Sequence, residues 1–176
     1  GDLSQWIAYT EETITRAKEL LDPNNDAYSS ALFNQAQVYM VQGDFDKAID
    51  LYLEADQIEQ KYGTGAGQAA TLASIGRLFL EKGDLNEAQE YYTRALKVRE
   101  MAFGQYSAQV AYSYRDLGYL EQQMGNRDSA QFLYQNCVQL LSIDSIGGGE
   151  VNDGYLLDAQ IMLARFAMEG KQDRRF

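Results

Sequence analysis

Catalysis near neutral pH calls on side chains that this 176-residue chain largely lacks. It holds no histidine, so the commonest general base and metal ligand is missing. Neither a Ser-His-Asp nor a Cys-His arrangement can be assembled. The single cysteine, Cys137, allows no internal disulfide and no cysteine-built zinc site. The run Gly63-Thr64-Gly65-Ala66-Gly67 has the glycine content of a phosphate-cradling loop. No Gly-Lys-Ser/Thr follows it and no strand pattern precedes it, so it reads as a connection between helical segments. Asp44 and Asp46 stand close together at a helix start, where capping and the helix dipole account for them. The stretch from Asp144 to Asp153 lacks the alternating ligands of a calcium loop. The expectation is a chain with no catalytic residues, no metal and no cofactor: not an enzyme.

Chemistry of binding remains. Arginines and tyrosines offer bidentate hydrogen bonds and flat apolar faces with polar tips. The 15 basic and 26 acidic residues leave a net charge of −11. That balance argues against nucleic acid and against anionic membrane surfaces, both of which are polyanions. No apolar run approaches the length of a membrane span. The chain starts at Gly1 rather than methionine, which predicts a processed form with any targeting signal out of view. A soluble protein follows, with the compartment open between cytoplasm and periplasm or exterior. Cys137 is expected to be a small buried residue, and Lys171, Arg174 and Arg175 a solvated tail.

The elements that position these groups come from a repeat. Gly43-Asp44, Gly83-Asp84 and Gly125-Asn126 are spaced 40 and 42 residues apart. Five residues after each glycine stands Ala48, Ala88 or Ala130; four further on, Tyr52, Tyr92 or Tyr134. Three beyond that comes Ala55, Ala95 or Cys137, and upstream Ala36, Gly76 and Gly118 align. Leu72, Ile75, Gly76 and Phe79 fall at helical spacing, as do Ala88, Tyr91, Tyr92, Ala95 and Leu96. Each copy is therefore a helix hairpin. Gly83 suits a left-handed helix end, and Asp84 with Glu87 forms a candidate capping box. The apolar faces of a hairpin need neighbouring hairpins to cover them. Trp6, Ile14, Ala17, Leu20 and Leu21 outline a preceding helix, and Ala159, Leu163, Phe166 and Gly170 echo Leu72, Gly76, Phe79 and Gly83. Two substitutions mark the third copy: Glu121 replaces Tyr39 and Phe79, and Arg127 replaces Phe45 and Leu85. They are expected to pair with each other.

This alternation of large and small residues resembles the tetratricopeptide repeat. The 40–42-residue period resembles the kinesin-light-chain-like subclass, as do the segment from Ala95 through Phe103-Gly104 and the run from Leu21 to Asp26. The resemblance implies an all-α, right-handed α-solenoid of antiparallel helix hairpins. It would form one domain: residues 3–25 a cap helix, 27–66, 67–107 and 108–150 three repeats, and 151–176 a partial fourth. It also implies a protein- or peptide-binding scaffold or adapter, with self-assembly or a sensory segment of a larger protein as alternatives.

In that family the first helices line the concave face. The residues falling there are Phe33, Asn34, Gln37 and Met40 in the first copy, and Ala73, Ser74 and Arg77 in the second. The third supplies Tyr112, Arg115, Asp116 and Tyr119. The lysine and asparagine set of the carboxylate-clamp subclass is not reproduced; only Asn34 is reminiscent of it. Arg77 and Arg115 can each take a carboxylate, unless they serve only to offset Glu81 and Asp116. The expected ligand is an extended peptide with an acidic group next to an apolar or aromatic residue. At the far end, Ile161, Leu163, Phe166 and Met168 are expected to form an uncovered edge that associates with a second copy or a partner.

Overall fold

A computed structural model describes residues 3–20, 26–63, 65–146 and 153–172. The segments around Pro23 and Gly147-Gly148-Gly149, Thr64, and Arg174 with Arg175 lie outside the described residues. The described residues form eight α-helices: α1 (Leu3–Leu20), α2 (Asp26–Gln42), α3 (Phe45–Tyr62), α4 (Ala66–Lys82), α5 (Leu85–Phe103), α6 (Ala108–Gln123), α7 (Arg127–Ile146) and α8 (Asp153–Gln172). The chain divides into two compact units, Gly1–Val98 and Arg99–Phe176.

The repeating glycine makes the same turn three times. Gly43, Gly83 and Gly125 adopt φ of 80°, 85° and 81°, the left-handed region that costs an L-side chain energy. In each turn the next residue's N–H reaches back across the helix end: Asp44 to the Tyr39 carbonyl at 2.9 Å, Asp84 to Phe79 at 2.9 Å, Asn126 to Glu121 at 2.8 Å. This closes the orphan carbonyls of the first helix and starts the second at once. Asp44 also caps with its carboxylate, which accepts from the Lys47 N–H at 3.4 Å. The Asp84–Glu87 capping box does not form among the described residues. Asp84 uses its carbonyl instead, accepting from the Ala88 N–H at 3.0 Å.

In the first unit α1 packs on α2, α2 on α3 and α3 on α4. The small slots are filled by tyrosine rings. A Cβ built on Gly76 would stand 2.8 Å from Cδ1 of Tyr92, so this glycine is required by close packing. Ala36, Ala48, Tyr52, Ile75 and Leu78 form one buried cluster across three helices. Trp6 departs from expectation: it is 40% exposed, while Ile14 and Ala17 carry the α1 face into the core.

In the second unit α6 packs on α7 and α7 on α8. Tyr134 repeats the part of Tyr92, lying 3.1 Å from where a Gly118 Cβ would be. On α8, Ala159 and Phe166 are buried and Leu163 is half-buried.

Candidate functional site

In the first unit the structure gathers four of the anticipated residues around one tyrosine. Phe33 meets the Tyr52 ring edge-on, with centroids 5.2 Å apart. Arg77, on α4, reaches back to α2, where its Nη2 donates to Met40 Sδ at 2.8 Å. Ser74, one turn earlier on α4, donates to the Ala70 carbonyl at 2.9 Å. The Tyr52 hydroxyl is buried with no hydrogen-bond partner. Burial raises the pKa of this phenol, and Ser74 and Arg77 beside it partly offset that rise. Asn34 is exposed and Gln37 half-buried on the adjoining turns of α2.

The Arg77 side chain is exposed, and among the described residues it forms no ion pair; Glu81, one turn away, does not engage it. Arg94 of the same unit, by contrast, is paired with a carboxylate. Arg94 Nη2 lies 2.7 Å from Asp56 Oδ2, and Gln68 donates to the same carboxylate at 3.0 Å.

In the second unit Arg115 is placed differently. Its guanidinium lies over the Tyr155 ring, 4.2 Å from the centroid, and its Nη2 is 3.4 Å from Asp116 Oδ1. Tyr112 packs on the same Tyr155, centroids 4.4 Å apart. Arg99 joins from the end of α5, donating to Ser113 Oγ at 2.7 Å with Asp116 Oδ2 at 3.9 Å. Burial lowers the Arg99 pKa. Burial also opposes the Arg115 charge, but Asp116, Tyr155 and Asp158 outweigh it and raise its pKa. Two arginines thus share Asp116, so Arg115, unlike Arg77, has a carboxylate beside it. Tyr119, 39% exposed, lies outside this cluster. Sequence reasoning missed Arg99 and Tyr155 because they come from α5 and α8, and helical spacing within α6 carries no trace of either.

Two further expectations change. Arg127 does not pair with Glu121. Its Nη1 is 3.2 Å from Glu169 Oε2 and its guanidinium covers the Phe166 ring at 5.2 Å, while Glu121 accepts from Asn126 at 2.8 Å. Phe166 therefore leaves the anticipated open edge, buried between Arg127 and Tyr134. Ile161 and Met168 are exposed there, joined by Leu157, and Leu163 is half-buried. Cys137 is buried as expected, and burial pushes its thiol pKa up to about 12. Among the described residues no group of three or more His, Cys, Asp or Glu is placed to hold a metal ion. No helix described is long and apolar enough to cross a membrane.

The hairpins have counterparts. A tetratricopeptide repeat family model matches residues 28–101 and again residues 67–142. No curated protein matches the chain in sequence. Among solved structures the chain is similar to BtubC (BKLC) from P. vanneervenii, with a TM-score of 0.72 and 21% identity over 100% of this chain and 76% of that one. It is also similar to the kinesin light chain TPR-like repeats of Podosopora anserina, with a TM-score of 0.73 and 16% identity over 98% of this chain and 81% of that one. Those likenesses carry the fold, an all-α solenoid of helix hairpins. Taken with the two family-model matches, they place the glycine turns and tyrosine-filled slots in a known lineage: the chain belongs to the tetratricopeptide repeat family.

Proposed function

We propose that the chain is a non-catalytic protein-interaction scaffold, built as one domain with repeats at 27–66, 67–107 and 108–150, that holds an extended peptide on its first helices. The observation carrying this reading is Arg77. It is an exposed cation without an ion pair among the described residues, in a chain of net charge −11; it touches Met40, and Phe33 packs on the Tyr52 ring. A guanidinium with no carboxylate partner can still take one in bidentate fashion. Phe33 and Met40 offer apolar contact beside it, and Asn34 and Gln37 can pair with a peptide backbone. The ligand that fits is a peptide with an acidic residue next to an apolar or aromatic one. In the second unit Arg115, already beside Asp116, is the weaker candidate for a ligand carboxylate, with Tyr112 and Tyr119 as aromatic surface of its own helix.

Selection from a phage-displayed library of random peptides against the full chain tests this. Acidic–apolar sequences should be enriched, and Arg77→Ala should weaken the best of them by tenfold or more, about 1.4 kcal/mol. Arg115→Ala should cost less. Unchanged affinity in Arg77→Ala, with the helical circular dichroism intact, refutes the site. The exposed Leu157, Ile161 and Met168 favour a second reading, self-association through α8. Light scattering at rising concentration decides it.

A further inference from the structure

A cavity lies in the 99–176 unit, away from Tyr112 and Arg115. Tyr114 is two residues beyond Tyr112 on α6, so the two side chains leave the helix about 200° apart. Tyr114 lines a cavity of about 340 Å³ together with Glu100 at the end of α5, Tyr106 in the following turn, and Asn136 and Gln139 on α7. Gln105 completes the polar wall. The turn is firmly held: Gly104 takes φ of 82°, and Ser107 donates to the Gly104 carbonyl at 2.9 Å while capping α6 through the Val110 N–H.

The lining has one ionisable charge, and it is negative. The Glu100 carboxylate is half-buried and makes no hydrogen bond or ion pair among the described residues. A carboxylate partly removed from water and left without a partner is unfavourable, and a cation that reaches it removes that cost. Burial and the nearby Glu100 both raise the pKa of Tyr114, which keeps that ring neutral. Tyr106 is 80% exposed, and Met101 and Phe103 beside it are exposed apolar side chains. Gln105, Asn136 and Gln139 have no side-chain hydrogen bonds among the described residues, so their donors and acceptors are available.

We propose that this cavity is a second peptide-binding site, which takes a lysine or arginine side chain of a partner between Tyr106 and Tyr114 and against Glu100. The cation meets a carboxylate and two ring faces, an arrangement that neutral or acidic side chains cannot satisfy. The three amides pair with the peptide backbone on either side. Met101 and Phe103 give apolar contact to the flanking residues. The site is opposite in charge preference to that of Arg77, so the chain would hold an acidic segment and a basic segment at separate places.

The test uses the full chain and the same phage-displayed random library. Besides the acidic class, a class rich in lysine or arginine next to apolar residues should emerge. Glu100→Gln keeps the shape and should weaken a selected basic peptide about fivefold or more. Tyr106→Ala should weaken it as well, and the side-chain amide signals of Asn136 and Gln139 should shift on titration. Glu90→Gln, which removes an exposed carboxylate elsewhere on α5, controls for the general attraction of a basic peptide to an acidic protein. The proposal is overturned if no basic class emerges, or if Glu100→Gln has no larger effect than Glu90→Gln. Basic peptides should bind Arg77→Ala unchanged, and acidic peptides should bind Glu100→Gln unchanged, so either site can fail without the other.

Discussion

Replacing Gly76 with alanine sets two known effects against each other. Alanine is favoured over glycine inside a helix by about 1 kcal/mol. The new methyl would stand 2.8 Å from Cδ1 and 3.0 Å from Cε1 of Tyr92, closer than side-chain carbons settle, so the buried ring must move. Overpacking of this kind costs about 1–3 kcal/mol. The net expectation is destabilisation of about 0–2 kcal/mol. At Gly118 the nearest ring atoms of Tyr134 are 3.1 Å away, so a shift of a few tenths of an ångström suffices and the two effects should nearly cancel. Ala36 shows that the slot can adapt, because it carries a methyl in the same cluster as Tyr52. Thermal unfolding followed by circular dichroism should place Gly76→Ala below Gly118→Ala, at about 2–4 °C per kcal/mol for a chain this long. In a Tyr92→Leu background, which removes the ring, Gly76→Ala should become stabilising. If Gly76→Ala raises the melting temperature of the wild-type chain by the full helix-propensity gain, the close-packing argument is wrong.

A double-mutant cycle between Arg127 and Glu169 should show a coupling of about 0.2–1 kcal/mol, in keeping with a partly exposed pair, whereas the Arg127–Glu121 cycle should be near zero. The buried Cys137 thiol, with a folded pKa of about 12 against an ordinary value of 9.0, favours the folded state while it stays protonated. That contribution is complete below about pH 9 and is lost as pH rises toward 12. Urea midpoints measured at pH 8, 9.5 and 10.5 should fall, and Cys137→Ala should flatten the fall.

Helical spacing and three glycine-led pairs were enough to read the hairpins, their turns and their core slots, because each depends on groups a few residues apart. A glycine at φ near 80°, an alanine every few residues and a tyrosine facing a glycine recur in phase, and backbone sterics leave few ways to arrange them. Spacing also placed Phe33, Met40, Ser74 and Arg77 on helices that meet. It could not say which charges are compensated. Arg77 and Arg115 look equivalent along the chain, yet Tyr155 and Arg99, brought from other helices, surround Arg115 and its Asp116, while Arg77 finds only a thioether. The same holds for Arg127, claimed by Glu169 of α8 rather than by Glu121 across the turn. Phe166 was likewise settled by packing, its ring centroid 6.2 Å from that of Tyr134 on α7. Periodicity defines a face of a helix, but the distance from a charge to its partner is set by how separate helices pack. That distance determines whether an arginine is already satisfied or still open to a ligand.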